Sequence, residues 1–186
     1  MAEAPASPEG VEARETPRRR RRRWALFGGV VATIVILDQL TKAWVDAGFE
    51  RAALGGSTEL IGDLVRISKV YNDGAIFGFL DASAMLMAVL SVFVVVGVVW
   101  YEWRHGAGLG PLVTLGLGLL TGGAIGNLID RVRFGYVIDF VDMGIGDTRW
   151  YAWNISDAAV FLGILALFAA ALLGDRAPGL RPRATT

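Results

Sequence analysis

The sequence predicts an all-α membrane protein, in which four transmembrane helices carry a small extracytoplasmic β-hairpin or cradle. Three observations carry that prediction. Hydrophobic residues make up 54% of the 186 positions, more than an ordinary soluble domain uses. Four apolar runs are long enough to cross a hydrocarbon core about 30 Å thick. Between the first and second runs, the stretch 58–72 (TELIGDLVRISKVYN) alternates apolar and polar residues around Gly62-Asp63, the pattern of a hairpin.

Taken in order, the chain divides simply. Residues 1–23 read as a disordered basic cytoplasmic tail. Its first 17 residues are small, polar and proline-bearing, and Arg18 to Arg23 follow as an unbroken run. Residues 24–174 read as one four-helix transmembrane domain, and 175–186 as a second cytoplasmic tail. The arginines followed by WALFGGVVATIVIL resemble the start of a secretory signal peptide. However, no small-residue cleavage site follows, and the chain continues into the polar DQLTKAWV. An uncleaved first helix from Trp24 to Val45 is therefore expected. The later spans are expected at Ala82 to Tyr101, Leu109 to about Ile129, and Asp157 to Gly174. The third is rich in small residues (GLGLLTGGAIG), which permit close helix approach.

Composition excludes several kinds of chemistry. The chain has no cysteine, so disulfides and thiolate catalysis are ruled out. His105 is the sole histidine, which leaves no His-rich metal site and no HExxH motif; no metal and no cofactor are expected. Net charge is zero, but the cations are unevenly placed. With the N-terminus inside, eleven arginines fall on inner segments and six Lys or Arg on outer ones, so both termini are expected in the cytoplasm. An arginine run can also bind nucleic acid, but beside an apolar run it reads as a topology anchor.

That topology gathers acids at the outer face. The stretch 136–160 (YVIDFVDMGIGDTRWYAWNISDAAV) sets Asp139 soon after the third run and Asp157 at the mouth of the fourth. Two carboxylates brought together beside apolar residues resist double ionisation and share a proton. One can then activate water while the other protonates a carbonyl, the requirement of an aspartic peptidase. Asp38 and Lys42 stand at i and i+4 on the first helix, and Asn127, Asp130 and Arg131 share one face at the end of the third. They read as supporting groups or as interfacial caps. Asn154 stands where it can cap the fourth helix or aim Asp157. Asn72, Asp73 and Gly74 favour a tight turn. Gly144-Ile145-Gly146-Asp147 spells GxGD, but in a polar loop it reads as a turn. A Ser/Lys pair from Ser57 or Ser68 with Lys42 or Lys69 is a rival chemistry. An ion transporter and a non-catalytic assembly factor are rivals of other classes.

Together these motifs carry a family resemblance. DQLTK, YNDGAIFGF, GGAIGNLIDR, YVIDF and WNISDAAV occur in the order and at the helix positions of lipoprotein signal peptidases (signal peptidase II), over about Trp24 to Gly174. The resemblance implies four transmembrane helices, an extracytoplasmic β-cradle and a catalytic dyad at Asp139 and Asp157. It further implies polar support from Asp38, Lys42, Asn72, Asn127, Asp130, Arg131 and Asn154. This chain has Trp153 and Ser156 where the family reads phenylalanine and alanine. The implied reaction removes the signal peptide of a lipidated prolipoprotein, just before its lipid-modified cysteine, in the bacterial inner membrane. The expected partners are that substrate and membrane lipid, with no nucleic acid and a monomeric enzyme.

Overall fold

The computed structural model describes residues 15–52, 55–74 and 84–175. Among the described residues four helices are long and apolar enough to span a membrane: α1 (Pro17–Gly48), α2 (Ala84–His105), α3 (Pro111–Phe134) and α4 (Ile155–Leu173). Four short strands make one antiparallel sheet in the order β1 (Thr58–Ile61), β2 (Val65–Asn72), β3 (Val137–Ile145), β4 (Thr148–Arg149). The expected hairpin at 58–72 is thus β1 and β2, turning at Gly62 with φ +48°. The segment YNDGAIFGF is covered only as far as Gly74; residues 75–80 lie outside the described ones.

The first helix corrects the expected boundary. It begins at Pro17, not Trp24, and the arginine run is helical rather than part of a disordered tail. The local signals agree: the Thr16 side chain accepts from Arg19 N at 3.3 Å as an N-cap, and proline takes the first helical position. Arginine is itself a good helix former. At its other end α3 runs past Ile129 to Phe134, until Gly135 at φ +80° closes the helix in the left-handed conformation.

α3 is the hub, packing against α1, α2 and α4. Its buried positions are mostly small, among them Gly118, Thr121, Gly122, Gly123 and Gly126, so neighbouring backbones approach closely. At Gly126 the approach is obligatory, because a β-carbon there would stand 2.6 Å from Asp38 Oδ2 and would also strike Ser156 Oγ. Large apolar side chains such as Phe93, Phe161, Phe168 and Leu172 point outward, as suits helices surrounded by lipid. The apolar core of the sheet, Ile67, Ile138 and Phe140, packs on Val45 of α1. This contact seats the sheet on the end of the bundle that carries the acids.

Candidate functional site

Asp139 is the third residue of β3 and is 2% exposed. Asp157 is the third residue of α4 and half-buried. Chain pairing brings the two together. Trp153 O accepts from Phe140 N at 3.1 Å and Val141 N at 2.8 Å, so the residue that follows it, Asn154, lies beside Asp139. Asn154 is fully buried and forms the N-cap of α4. Its Oδ1 accepts from Asp157 N at 3.1 Å, and its own N donates to Asp157 Oδ2 at 3.1 Å, which completes a capping box. Its Nδ2 donates to Asp139 Oδ1 at 2.6 Å and to Asn127 Oδ1 at 3.2 Å. The sequence left two roles open for Asn154, helix cap and aid to the acid, and one side chain performs both.

Asn127 extends the link. It donates to Asp157 Oδ1 at 2.8 Å while its Oδ1 accepts from Lys42 Nζ at 2.8 Å. Asn72 donates to the other oxygen of Asp139 at 2.9 Å, and its Oδ1 accepts from Gly74 N at 3.0 Å, the tight turn expected there. Each carboxyl of the pair therefore receives hydrogen bonds from fixed amides, and none from a hydroxyl among the described residues.

Beneath the pair lies a buried charge cluster. Lys42 Nζ stands 2.9 Å from Asp38 Oδ2 and 2.9 Å from Asp130 Oδ2, with all three side chains no more than 3% exposed. The two acids also clamp backbone. Asp130 Oδ2 accepts from Ile138 N at 3.2 Å, and Asp38 Oδ1 accepts from Ser156 N at 2.9 Å. Ile138 precedes Asp139 and Ser156 precedes Asp157, so each scaffold acid holds the chain one residue ahead of one acid of the pair. One lysine is shared by both scaffold acids.

Electrostatics mark Asp139. Burial and then the nearby Asp157 charge push its carboxyl from 3.8 up to about 6, against hydrogen bonds from Asn72 and Asn154 that favour the ionised form. Tyr71, next to Asn72, is pushed up to about 12 by burial and by its hydrogen bond to Asp46.

Of the residues singled out in the sequence, Asp38, Lys42, Asn72, Asn127, Asp130, Asp139, Asn154 and Asp157 form this single network. Arg131 stands at its edge: Nη1 bonds Asn127 O at 3.3 Å, and its buried Nε has no partner among the described residues. Asp147 lies in the turn between β3 and β4, where Gly146 has φ +56°, as expected of the GxGD stretch. Neither lysine of the rival Ser/Lys pairs is bonded to a serine among the described residues. Lys69 binds Asp46, and Ser68 donates to Asp142 at 3.1 Å. Sequence reasoning missed Gln39, whose amide donates to Asp130 at 2.9 Å and to Asp38 at 3.2 Å. A glutamine flanking Asp38 inside an apolar helix was the signal available. No group of three or more metal-ligating side chains occurs among the described residues.

Comparison with known proteins follows the same motifs. A family model described as signal peptidase (SPase) II matches residues 30–173. The lipoprotein signal peptidase of Syntrophomonas wolfei is 39% identical over 150 residues, covering 81% of this chain and 95% of that protein. That of Caulobacter vibrioides is 36% identical over 159 residues, covering 83% and 90%. A solved structure described as a bacterial membrane enzyme superposes with a TM-score of 0.70 at 25% identity, over 86% of this chain and 94% of that one. A second so described gives 0.69 at 27% identity, over 78% and 92%.

Proposed function

The chain belongs to the signal peptidase II family, and we propose that it cleaves diacylglyceryl-modified prolipoproteins at an Asp139/Asp157 pair. As a member of that family it is a protease. The assignment to these two acids rests on Asn154, whose single amide donates to Asp139 and accepts from the backbone of Asp157. Supporting it is the rise of the Asp139 pKa to about 6, which belongs to a pair that titrates as a unit and holds one proton between its members.

The reaction follows from that shared proton. Water between the two carboxyls gives a proton to the ionised one, and its oxygen attacks the scissile carbonyl. The proton already held by the pair passes to the carbonyl oxygen, giving a tetrahedral diol. The carboxyl that took the proton from water returns it to the departing amine as the C–N bond breaks, while the other, now ionised, takes a proton back from a diol hydroxyl, leaving a carboxylic acid and restoring the shared proton. No enzyme atom bonds to the substrate. In this reading Asn72 and Arg131 hold the substrate backbone or the developing oxyanion, a contribution worth several kcal/mol. The unpartnered Nε of Arg131 supplies a donor for it. The diacylglyceryl chains lie on lipid-facing apolar surface between the helices, where burial contributes about 0.8 kcal/mol per methylene.

The eleven-to-six cation count puts both termini in the cytoplasm and the pair at the outer face, where an exported prolipoprotein presents its cleavage site. The deciding experiment is cleavage of a lipidated prolipoprotein by the purified protein and by Asp139→Asn. Loss of cleavage in a variant that remains folded is expected. Normal turnover by that variant would sink the assignment.

A further inference from the structure

The opposite end of the bundle carries charge that the peptidase reading does not use. Of the six arginines opening α1, one turns inward. Arg23 is 9% exposed and binds Glu102 Oε1 at 2.7 Å, Glu102 O at 2.8 Å and Glu15 Oε1 at 3.1 Å. This fixes the rotation of α1 against α2. The preceding five, Arg18 to Arg22, are exposed except for a half-buried Arg19. None of the five forms an ion pair among the described residues.

Their position is electrostatically unfavourable for a protein alone. All five lie in the first two turns of α1, where the helix dipole is positive and repels cations. No acid stands in that first turn. Arg18 also meets Arg21 and Arg22 at i+3 and i+4, and Arg19 meets Arg22, as like-charge neighbours on the helix surface. Such a segment, though capped by Thr16, gains helix stability where anions surround it.

The aromatic residues at this end say which anions are within reach. Trp24, Trp100 and Trp103 share it, the last two 55% and 68% exposed, and such tryptophans mark the membrane–water boundary. At 1.5 Å rise per residue, Arg18 to Arg22 lie about 3 to 9 Å beyond Trp24. The headgroup layer is about 5 to 7 Å deep, so Arg20 to Arg22 fall within it, and the long side chains of Arg18 and Arg19 reach back to it from its outer edge. Consecutive residues step about 100° round the helix, so they face all sides of α1. Exposed Arg104 on α2 adds a sixth cation.

We propose that Arg18 to Arg22 form a collar that binds the phosphates of anionic phospholipids and keeps the start of α1 helical. Guanidinium groups suit this partner, because each can pair with a phosphate through two parallel N–H donors. The collar is separate from the acid pair, and its test does not depend on peptidase activity.

The test is amide hydrogen exchange of the full chain in nanodiscs, made from phosphatidylcholine alone or mixed with phosphatidylglycerol. The amides of Arg20 to Arg22 should exchange at least about tenfold more slowly with the anionic lipid, a factor that a few arginine–headgroup contacts supply. The quintuple change Arg18→Gln through Arg22→Gln, with Arg23 kept, should abolish the lipid dependence. High salt should abolish it in the unaltered protein, without any substitution. Equal protection in both discs would overturn the proposal. So would a lipid effect that survives the quintuple change or high salt. Inorganic phosphate giving the same protection in phosphatidylcholine discs would show a phosphate site rather than a lipid collar. A short oligonucleotide protecting these amides better than phosphatidylglycerol would reassign the arginines to nucleic acid.

Discussion

Replacing Lys42 by methionine tests the buried scaffold directly. Methionine keeps much of the length and apolar volume of the lysine stem but removes the cation. Asp38 and Asp130 would then face each other with no cation between them, Asp38 holding Ser156 N through its other oxygen and Asp130 holding Ile138 N through the same oxygen that had faced Lys42. Breaking a buried pair by deleting one partner costs about 3–5 kcal/mol, a large share of the 5–15 kcal/mol that stabilises a domain. Neutralising the acids as well should recover most of that loss. In Asp38→Asn/Lys42→Met/Asp130→Asn each amide oxygen still accepts its backbone N–H, and Gln39 can turn its own oxygen toward the new donors. Thermal unfolding in detergent should therefore rank the unaltered protein first, the triple variant close behind, and Lys42→Met well below both. A triple variant no more stable than Lys42→Met would refute the claim that charge balance is what Lys42 supplies. Cleavage of a lipidated prolipoprotein should fall in Lys42→Met, because repulsion between Asp38 and Asp130 strains the clamps that hold the backbone ahead of the proposed acid pair.

Asp157→Asn should abolish cleavage while leaving the fold intact, and Asp147→Asn should leave it nearly unchanged; an inactive Asp147 variant would reopen the GxGD reading. The pH profile should decline above about pH 6, where the pair loses its shared proton. Removing a hydrogen bond that favours the ionised form pushes the carboxyl further up, so Asn72→Ala should move that limb to higher pH, by roughly one unit or less. The same shift bears on stability. A carboxyl raised in the fold contributes stability in full below 3.8 and loses it as pH rises through about 6. Over that window the unaltered protein should lose about 3 kcal/mol relative to Asp139→Asn, seen as a widening difference in melting temperature. Topology is checked with cysteines introduced into this cysteine-free chain. Those at Ser57 and Thr148 should react with an impermeant maleimide on intact cells, and one at Ala107 only after the membrane is opened.

Much of this was legible in the sequence because lipid simplifies the rules. A span must be long and apolar, so four runs identified four helices; polar residues inside them are expensive, so Asp38, Lys42, Asn127 and Asp130 stood out. The helix ends were less legible. Arg18 to Arg23 looked like tail because hydropathy discounts arginine, whereas helix propensity and the Thr16 cap favour continuation. Likewise α3 passes through polar Asp130, Arg131 and Arg133 until Gly135 stops it. The extent of β3 was hidden, because its alternation places an acid at both a buried position, Asp139, and a partly exposed one, Asp142. No local pattern could reveal contacts between residues far apart in sequence. Arg23 meets Glu102 79 residues away, and Ser156 N meets Asp38 118 residues away.

The two backbone clamps also have a consequence for biogenesis. Asp38 comes from the first span, Asp130 from the third, and the chain segments they hold belong to the sheet and to the last span. The scaffold thus works as a logical conjunction, with every input required before the output exists. A nascent chain with three spans inserted would carry Asp139 but not its partner, and would remain chemically silent among the other proteins of the membrane. On the proposed Asp139/Asp157 chemistry, hydrolysis would begin only when α4 arrives, so turnover of a reporter substrate would time the completion of membrane insertion.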